Sequence, residues 1–189
     1  MVAAPGSLAV EDKGCYIPHH AVWKTTEGQQ KIRVVFNASN VNAGGSSLND
    51  ALLPGPKLQA DLWAVVTRWR LFRVAFSADI EKMFRQILIH PDEQNWLRIL
   101  WRKHPGERVT EYGLNTVTYG TAPAPYLAHR VLRQLAFDEE NQFPLASQVL
   151  RGNTYVDDIL AGADSAEDAR KIQGELIEIL ASAGFPLDK

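Results

Sequence analysis

Two adjacent carboxylates, Asp157 and Asp158, lie within the stretch Gly152-Asn153-Thr154-Tyr155-Val156-Asp157-Asp158-Ile159-Leu160-Ala161-Gly162. The residues around them are β-prone, which predicts a tight β-hairpin with both acids at its tip. Adjacent negative charges repel and add nothing to a core. They become favourable around a divalent cation, because Mg²⁺ is held by one or two carboxylates together with substrate phosphates. Asp is also a common turn residue, so the pair by itself is equally a solvated turn. A metal site needs a third carboxylate at the end of another strand, and Asp79 closes the strand-like run of residues 71–79. Taken alone, Asp79 also fits a helix N-cap, and Phe84, five residues on, also fits a core.

The elements that must position these acids follow from local pattern. Residues 16–23 and 31–36 flank a polar turn at 25–30 and predict a β-hairpin. Lys31 and Arg33 are two apart, so they project from one face of its second strand. That face suits a triphosphate, and it equally suits solvent. Residues 37–56 are rich in Asn, Ser and Gly and read as loop. Residues 57–70 place Leu58, Leu62, Val65, Val66 and Trp69 on one helical face. Residues 80–86 are expected to turn helically.

Residues 96–101 and 109–117 flank a turn at 104–107 and predict a second hairpin. Residues 126–137 have helical periodicity and follow Tyr119, Gly120, Pro123 and Pro125. Proline suits a first helical turn, and the glycine admits a close approach to the backbone. Residues 142–151 read as a short helix or an irregular link. A capping-box-like start at 164–167 opens a helix with Ile172, Leu176, Ile177 and Leu180 inside and Gly184 at its stop. Residues 1–14 are small, polar and Gly/Pro-containing, as in a mobile lead-in.

The 189 residues suffice for one sizeable domain or two small ones, and 46% hydrophobic with 22% charged content is ordinary for a globular protein. No apolar run approaches a membrane span, and the N-terminus lacks the pattern of a secretory signal. The single Cys15 excludes an internal disulfide framework, and His19-His20 is an adjacent pair without zinc spacing. Net charge is −2, divided as +5 over residues 1–137 and −7 over 138–189. A basic part that grips phosphates and an acidic part that holds cations would produce this split, as would ordinary scatter.

In order, these features make a pattern: a basic hairpin, a strand ending in Asp79 with an aromatic five residues on, an aromatic-Gly helix entrance, and a Tyr-x-Asp-Asp hairpin. It resembles the fingers and palm of reverse transcriptases. The wording Arg33-Val34-Val35-Phe36-Asn37-Ala38-Ser39, Asp79-Ile80-Glu81-Lys82-Met83-Phe84, Tyr119-Gly120 and Tyr155-Val156-Asp157-Asp158 looks most like the Bel/Pao class of long-terminal-repeat retrotransposons. The resemblance runs from about Tyr16 to Lys189.

It implies an α+β fold: a polymerase palm, with an antiparallel sheet and helices on one face, plus fingers. The expected divisions are a flexible lead-in at 1–15, a fingers-like region at 16–74, and a mainly palm region at 75–189 with a fingers insertion near 92–118. The chain is expected to end before the primer grip and thumb. The implied activity is RNA-directed DNA polymerase, adding deoxynucleotides to a primer 3′-hydroxyl on an RNA or DNA template. The alternative is a catalytically inactive remnant that binds nucleic acid or a partner protein.

The implied metal ligands are Asp79, Asp157, Asp158 and the backbone carbonyl of Ile80, around two Mg²⁺ ions that Mn²⁺ can replace. Asp79 and Asp157 are the closer ligands in the family. Phe84 matches an aromatic gate beneath the sugar. Tyr119, Gly120, Pro123 and Tyr155 match positions around the incoming nucleotide, and Lys31 and Arg33 match contacts to its triphosphate. Implied partners are template-primer, deoxynucleoside triphosphates and the rest of a retroelement polyprotein (thumb, ribonuclease H, integrase), with no membrane. The implied location is intracellular, in a cytoplasmic particle or the nucleus, and not secreted.

Overall fold

Period-two alternation and helical periodicity resolve into distinct elements in the computed structural model, which describes residues 2–3, 14–26 and 29–188. In chain order these are β1 (Val2–Ala3), β2 (His19–Thr26), β3 (Gln29–Phe36), α1 (Leu48–Ala51), α2 (Leu62–Trp69) and β4 (Val74–Ile80). Two 3-10 turns follow, Met83–Gln86 and Pro91–Trp96, then β5 (Arg98–Trp101), β6 (Thr110–Gly113), α3 (Ala124–Asp138) and α4 (Pro144–Gly152). The chain continues through β7 (Thr154–Tyr155), β8 (Asp158–Ala163), α5 (Ala166–Ser182) and β9 (Leu187–Asp188). Every paired strand is antiparallel, so the expected α+β class holds.

The contacts divide the chain into two units, Met1–Gly55 with Ile87–Ala124, and Pro56–Gln86 with Pro125–Lys189. This boundary differs from the expected break after residue 74. Residues 56–74 join the second unit because α2 lies against β7 and β8. Residues 4–13 of the expected lead-in, and Glu27 and Gly28 of the first hairpin's turn, lie outside the described residues.

In the first unit β2 and β3 form the expected two-stranded ribbon, and a separate sheet has the order β1-β6-β5. Ile17, Phe36, Ala38, Leu97, Ile99 and Leu114 are its buried core, with Val34, Tyr112 and Tyr119 packed against it. Within the loop expected at 37–56, Ser47 caps a single helical turn, α1, through a capping box with Asp50.

In the second unit the sheet order is β7-β8-β4-β9. Along β4 the side chains of Phe76, Ala78 and Ile80 share one face, and Ala75, Ser77 and Asp79 share the other. Helices α2, α4 and α5 pack on this sheet, and Val65, Ile80, Met83, Leu132, Ile159, Leu176, Ile179 and Leu180 are fully buried. This is the expected antiparallel sheet with helices on one face. α2 begins at Leu62, not near residue 57, because Asp61 is still extended at φ −65°, ψ 136°. Residues 57–60 are therefore free of helical hydrogen bonding. α5 is capped by Ser165, whose hydroxyl accepts from the Asp168 N–H. It stops at Gly184 as expected, where the Phe185 N–H reaches back to the Leu180 carbonyl. That stop turns the chain back so that β9 pairs with β4.

Gly162 leaves no room for a side chain against β4 and Phe72. A Cβ added there would sit 2.6 Å from the Val74 carbonyl oxygen and 2.8 Å from Phe72 Cβ. Overfilling a packed site costs about 1–3 kcal/mol, so Gly162→Ala is expected to lower the unfolding free energy by about that much in urea denaturation. Gly152→Ala is the comparison, since a Cβ there meets nothing within 4 Å. Equal stability of the two variants would contradict this account of the β4–β8 contact.

Candidate active site

The acid hairpin forms in the second unit, but not with both acids at its tip. Tyr155 pairs with Asp158, so the two-residue turn is Val156-Asp157 and Asp158 opens β8. Of the two turn residues only Val156 has a positive φ, at 54°, the sign pattern of a type II′ turn. A β-branched residue there is a true outlier, a strain of order 1–3 kcal/mol that persists only where surrounding structure imposes it. Two hydrogen bonds impose it here. The Val156 N–H donates to Gln59 Oε1 at 3.0 Å, and the Asp157 carbonyl accepts from the Ile80 N–H at 2.9 Å.

The second bond sets the geometry of the acids. Asp79 lies directly opposite Asp158 in the β4–β8 ladder. Because the neighbouring Ile80 and Asp157 positions are hydrogen-bonded, the Asp79–Asp158 pair is of the non-hydrogen-bonded kind, with Cα atoms about 4.5 Å apart and side chains at their closest. On its other side Asp79 lies opposite Asp188 of β9. Asp188 is a fourth acid that sequence reading missed. It lies near the chain end with no motif around it, and only the α5 stop and the β9 pairing bring it in. Tyr155, Asp158, Asp79 and Asp188 thus form one row across four strands on the face opposite Ile80.

Electrostatics reflect this crowding. Partial burial raises the Asp79 carboxyl above its ordinary value, reinforced by the charges of Asp157, Asp158, Asp188 and Glu81. Partial burial and Asp157 raise Asp158 likewise. Hard carboxylate oxygens are the donors that Mg²⁺ prefers. Among the described residues no group of three or more Asp, Glu, His or Cys side chains is already drawn together as a metal-binding set. The acids adjoin along the backbone, and a cation would have to gather their side chains. Phe84, in the turn after β4, is half-buried in the same unit.

The other expected residues belong to the first unit. Lys31 and Arg33 are exposed on β3, opposite Lys24 and Val22. Lys24 is a third cation on that face. Sequence reading missed it because only the register identifies a cross-strand neighbour. Tyr119 donates its hydroxyl to the Val34 carbonyl, and its ring lies 5.1 Å from that of Phe36. Gly120 has φ 93°, and a Cβ there would lie 2.6 Å from the Phe36 carbonyl oxygen. The close approach expected at this glycine is therefore made by the protein's own β3.

Asn49, also missed, holds this turn from α1. Its Nδ2 donates to the Gly120 carbonyl at 3.0 Å, and its Oδ1 accepts from the Ala122 N–H at 2.8 Å. Pro123 is half-buried just before α3.

A raised carboxyl pKa makes a signed prediction. Between the unfolded and folded values the native state binds more protons, so this stabilisation is present at low pH and lost as pH rises through the folded value. Asp79→Asn is therefore expected to stabilise the fold at pH 7, by at most about 1 kcal/mol for charges this exposed. The difference should close below about pH 4, where the parent acid is protonated in both states. Urea titrations at the two pH values measure it, and a less stable variant at pH 7 would contradict the repulsion.

No protein-family model matches the sequence, and no curated protein matches it at a significant level. Solved structures do. The native prototype foamy virus protease-reverse transcriptase matches 93% of this chain with TM-score 0.66 at 16% identity. The foamy viral protease-reverse transcriptase dRH in complex with double-stranded DNA matches 92% with TM-score 0.65 at 18% identity. A selenomethionine-labelled CSH mutant of the prototype foamy virus protein matches 93% with TM-score 0.67 at 16% identity. The chain spans 20% to 26% of the length of those proteins. It has a reverse-transcriptase-like fold.

Proposed function

We propose that this chain is the fingers-palm core of an RNA-directed DNA polymerase from a long-terminal-repeat retrotransposon, of the Bel/Pao class by its motif wording. One observation carries the reading. The β4–β8 register sets Asp79 directly against Asp158, while the Ile80 N–H holds the turn that bears Asp157. An arrangement that opposes like charges suits a cation site and has no value to a core. A reverse-transcriptase-like fold supplies the context.

Asp79, Asp157, Asp158 and the Ile80 carbonyl would hold two Mg²⁺ ions, or Mn²⁺ in their place. When bound, the ions lower the pKa of the primer 3′-hydroxyl and neutralise charge on the triphosphate and the departing pyrophosphate. The chain's own residues supply position and selectivity. Asp188 adds negative charge beside Asp79 and tightens the demand for cations. Phe84 is the gate beneath the sugar, where a ring excludes a ribose 2′-hydroxyl. Lys31 and Arg33, joined by Lys24, are the contacts for the triphosphate. Tyr119, Gly120, Pro123 and Tyr155 bound the nucleotide, with Tyr119 and Gly120 made rigid by their bonds to β3 and α1. Template-primer would be held largely through phosphates, with further grip from the rest of a polyprotein. Among the described residues no helix is long and apolar enough to cross a membrane. We place the activity inside the cell, in a particle or the nucleus.

The direct test is Mg²⁺-dependent deoxynucleotide incorporation on a primed RNA template. It should use this chain and a longer form that continues through a thumb. Asp157→Asn is expected to reduce incorporation at least about a hundredfold, the usual scale for losing a group that meets developing charge. Incorporation that survives this substitution would exclude the site. In the longer form, Phe84→Val is expected to lower the preference for deoxy- over ribonucleotides by roughly tenfold or more, the scale of a lost steric discrimination. Unchanged sugar selectivity would remove Phe84 from its role.

A further inference from the structure

Three side chains of residues 57–69 bond to main-chain groups of α4, β4 and the β7–β8 turn. Gln59 Oε1 accepts from the Val156 N–H at 3.0 Å, across 97 residues of sequence. Arg68 Nη2 donates to the carbonyl of Gly152, the last residue of α4 before the hairpin. Trp69 Nε1 donates to the carbonyl of Phe76 at 2.9 Å, three residues before Asp79 on β4. One short segment is thus bonded both to the strand carrying Asp79 and to the hairpin carrying Asp157 and Asp158.

We propose that Gln59 is a positioning residue for the divalent-cation site, an inference that rests on the reading of these carboxylates as metal ligands. Repulsion among Asp79, Asp157, Asp158 and Asp188 pushes the hairpin tip away from β4 whenever no cation is bound. Val156 also resists its own positive φ. Two bonds oppose both tendencies, Ile80 N–H to the Asp157 carbonyl and Val156 N–H to Gln59 Oε1. The first is part of the sheet. The second is supplied from outside it, and its chemistry is specific. The turn needs a long side chain with an acceptor, and a neutral acceptor adds no further repulsion to the nearby acids. Glutamate would add a further negative charge, lysine and arginine have no acceptor, and asparagine is shorter. Residues 57–60 are non-helical, which leaves Gln59 directed at the turn and outside the α2 ladder.

The test uses the full 189-residue chain and two readouts, exchange of the Val156 amide by nuclear magnetic resonance and Mn²⁺ affinity by electron paramagnetic resonance. In the unsubstituted chain the Val156 amide is expected to be protected, and an unprotected amide overturns the proposal without any variant. In Gln59→Leu, Val156 exchange should rise and Mn²⁺ binding weaken, each by about fivefold, the scale of one lost hydrogen bond. Amides of Leu176 and Ile179 in α5 should stay as they were. Gln59→Glu should restore Val156 protection, a rescue that general packing loss does not give. If Gln59→Leu does not fold, Gln59→Asn is the second variant, with the same loss expected.

Mn²⁺ binding that Asp157→Asn abolishes and Gln59→Leu leaves unchanged overturns this inference alone. Binding that Asp157→Asn also leaves unchanged overturns the metal-site reading and the inference with it.

Discussion

The register of β4 against β8 is the constraint on which this site depends. It sets Asp79 against Asp158, an arrangement that electrostatics opposes. The opposite face of the same strands explains why it persists. Ile80, Ile159 and Ala161 are fully buried there, and a slip of one residue would exchange the two faces and expose them all. Burying an aliphatic side chain is worth about 1.5–3 kcal/mol, against at most about 1 kcal/mol for repulsion between charges as exposed as these. Apolar packing on one side of the sheet therefore dictates carboxylate placement on the other. The hairpin tip lies beyond that packing, and hydrogen bonds from Ile80 and Gln59 take over there.

Each unit sets like charges opposite one another across its strands. In the second, four acids crowd around the end of β4, and partial burial with mutual repulsion raises two of them. In the first, Lys24 and Lys31 are directly opposed on the ribbon, with Arg33 on the same face. Directly opposed like charges weaken a strand pair. Such local conflicts, within folds that are otherwise consistent, are where function is expected.

Rigid support accompanies both sets. Asn49 ties the Gly120–Ala122 turn, and Tyr119 is bonded to Val34. Gln59, Arg68 and Trp69 do the same for the acid-bearing elements. These supports were invisible in sequence for a common physical reason. A side chain that bonds a backbone atom tens of residues away leaves no periodicity, capping pattern or turn signature around it. Gln59 fell within the helix expected over residues 57–70, away from its named apolar face, and Asn49 within the loop expected over 37–56.

Local signals carried the rest. The β-prone runs around Asp157 and Asp158, the strand ending in Asp79, the capped α5 and the amphipathic pattern near α2 depend on neighbours within a few residues, so they were legible, as was the α+β class. The chain order of motifs also brought Asp79, Asp157 and Asp158 together before any geometry was known. Tertiary structure alone decided the rest. It put Asp158 in a strand and left Asp157 at the tip, brought in Asp188 through β9, made Lys24 a partner of Lys31, and used the non-helical start of residues 57–60 to hold the strained turn. All four follow from strand register and long-range hydrogen bonding, which are set by which faces the packed core must bury and not by any residue's immediate neighbours.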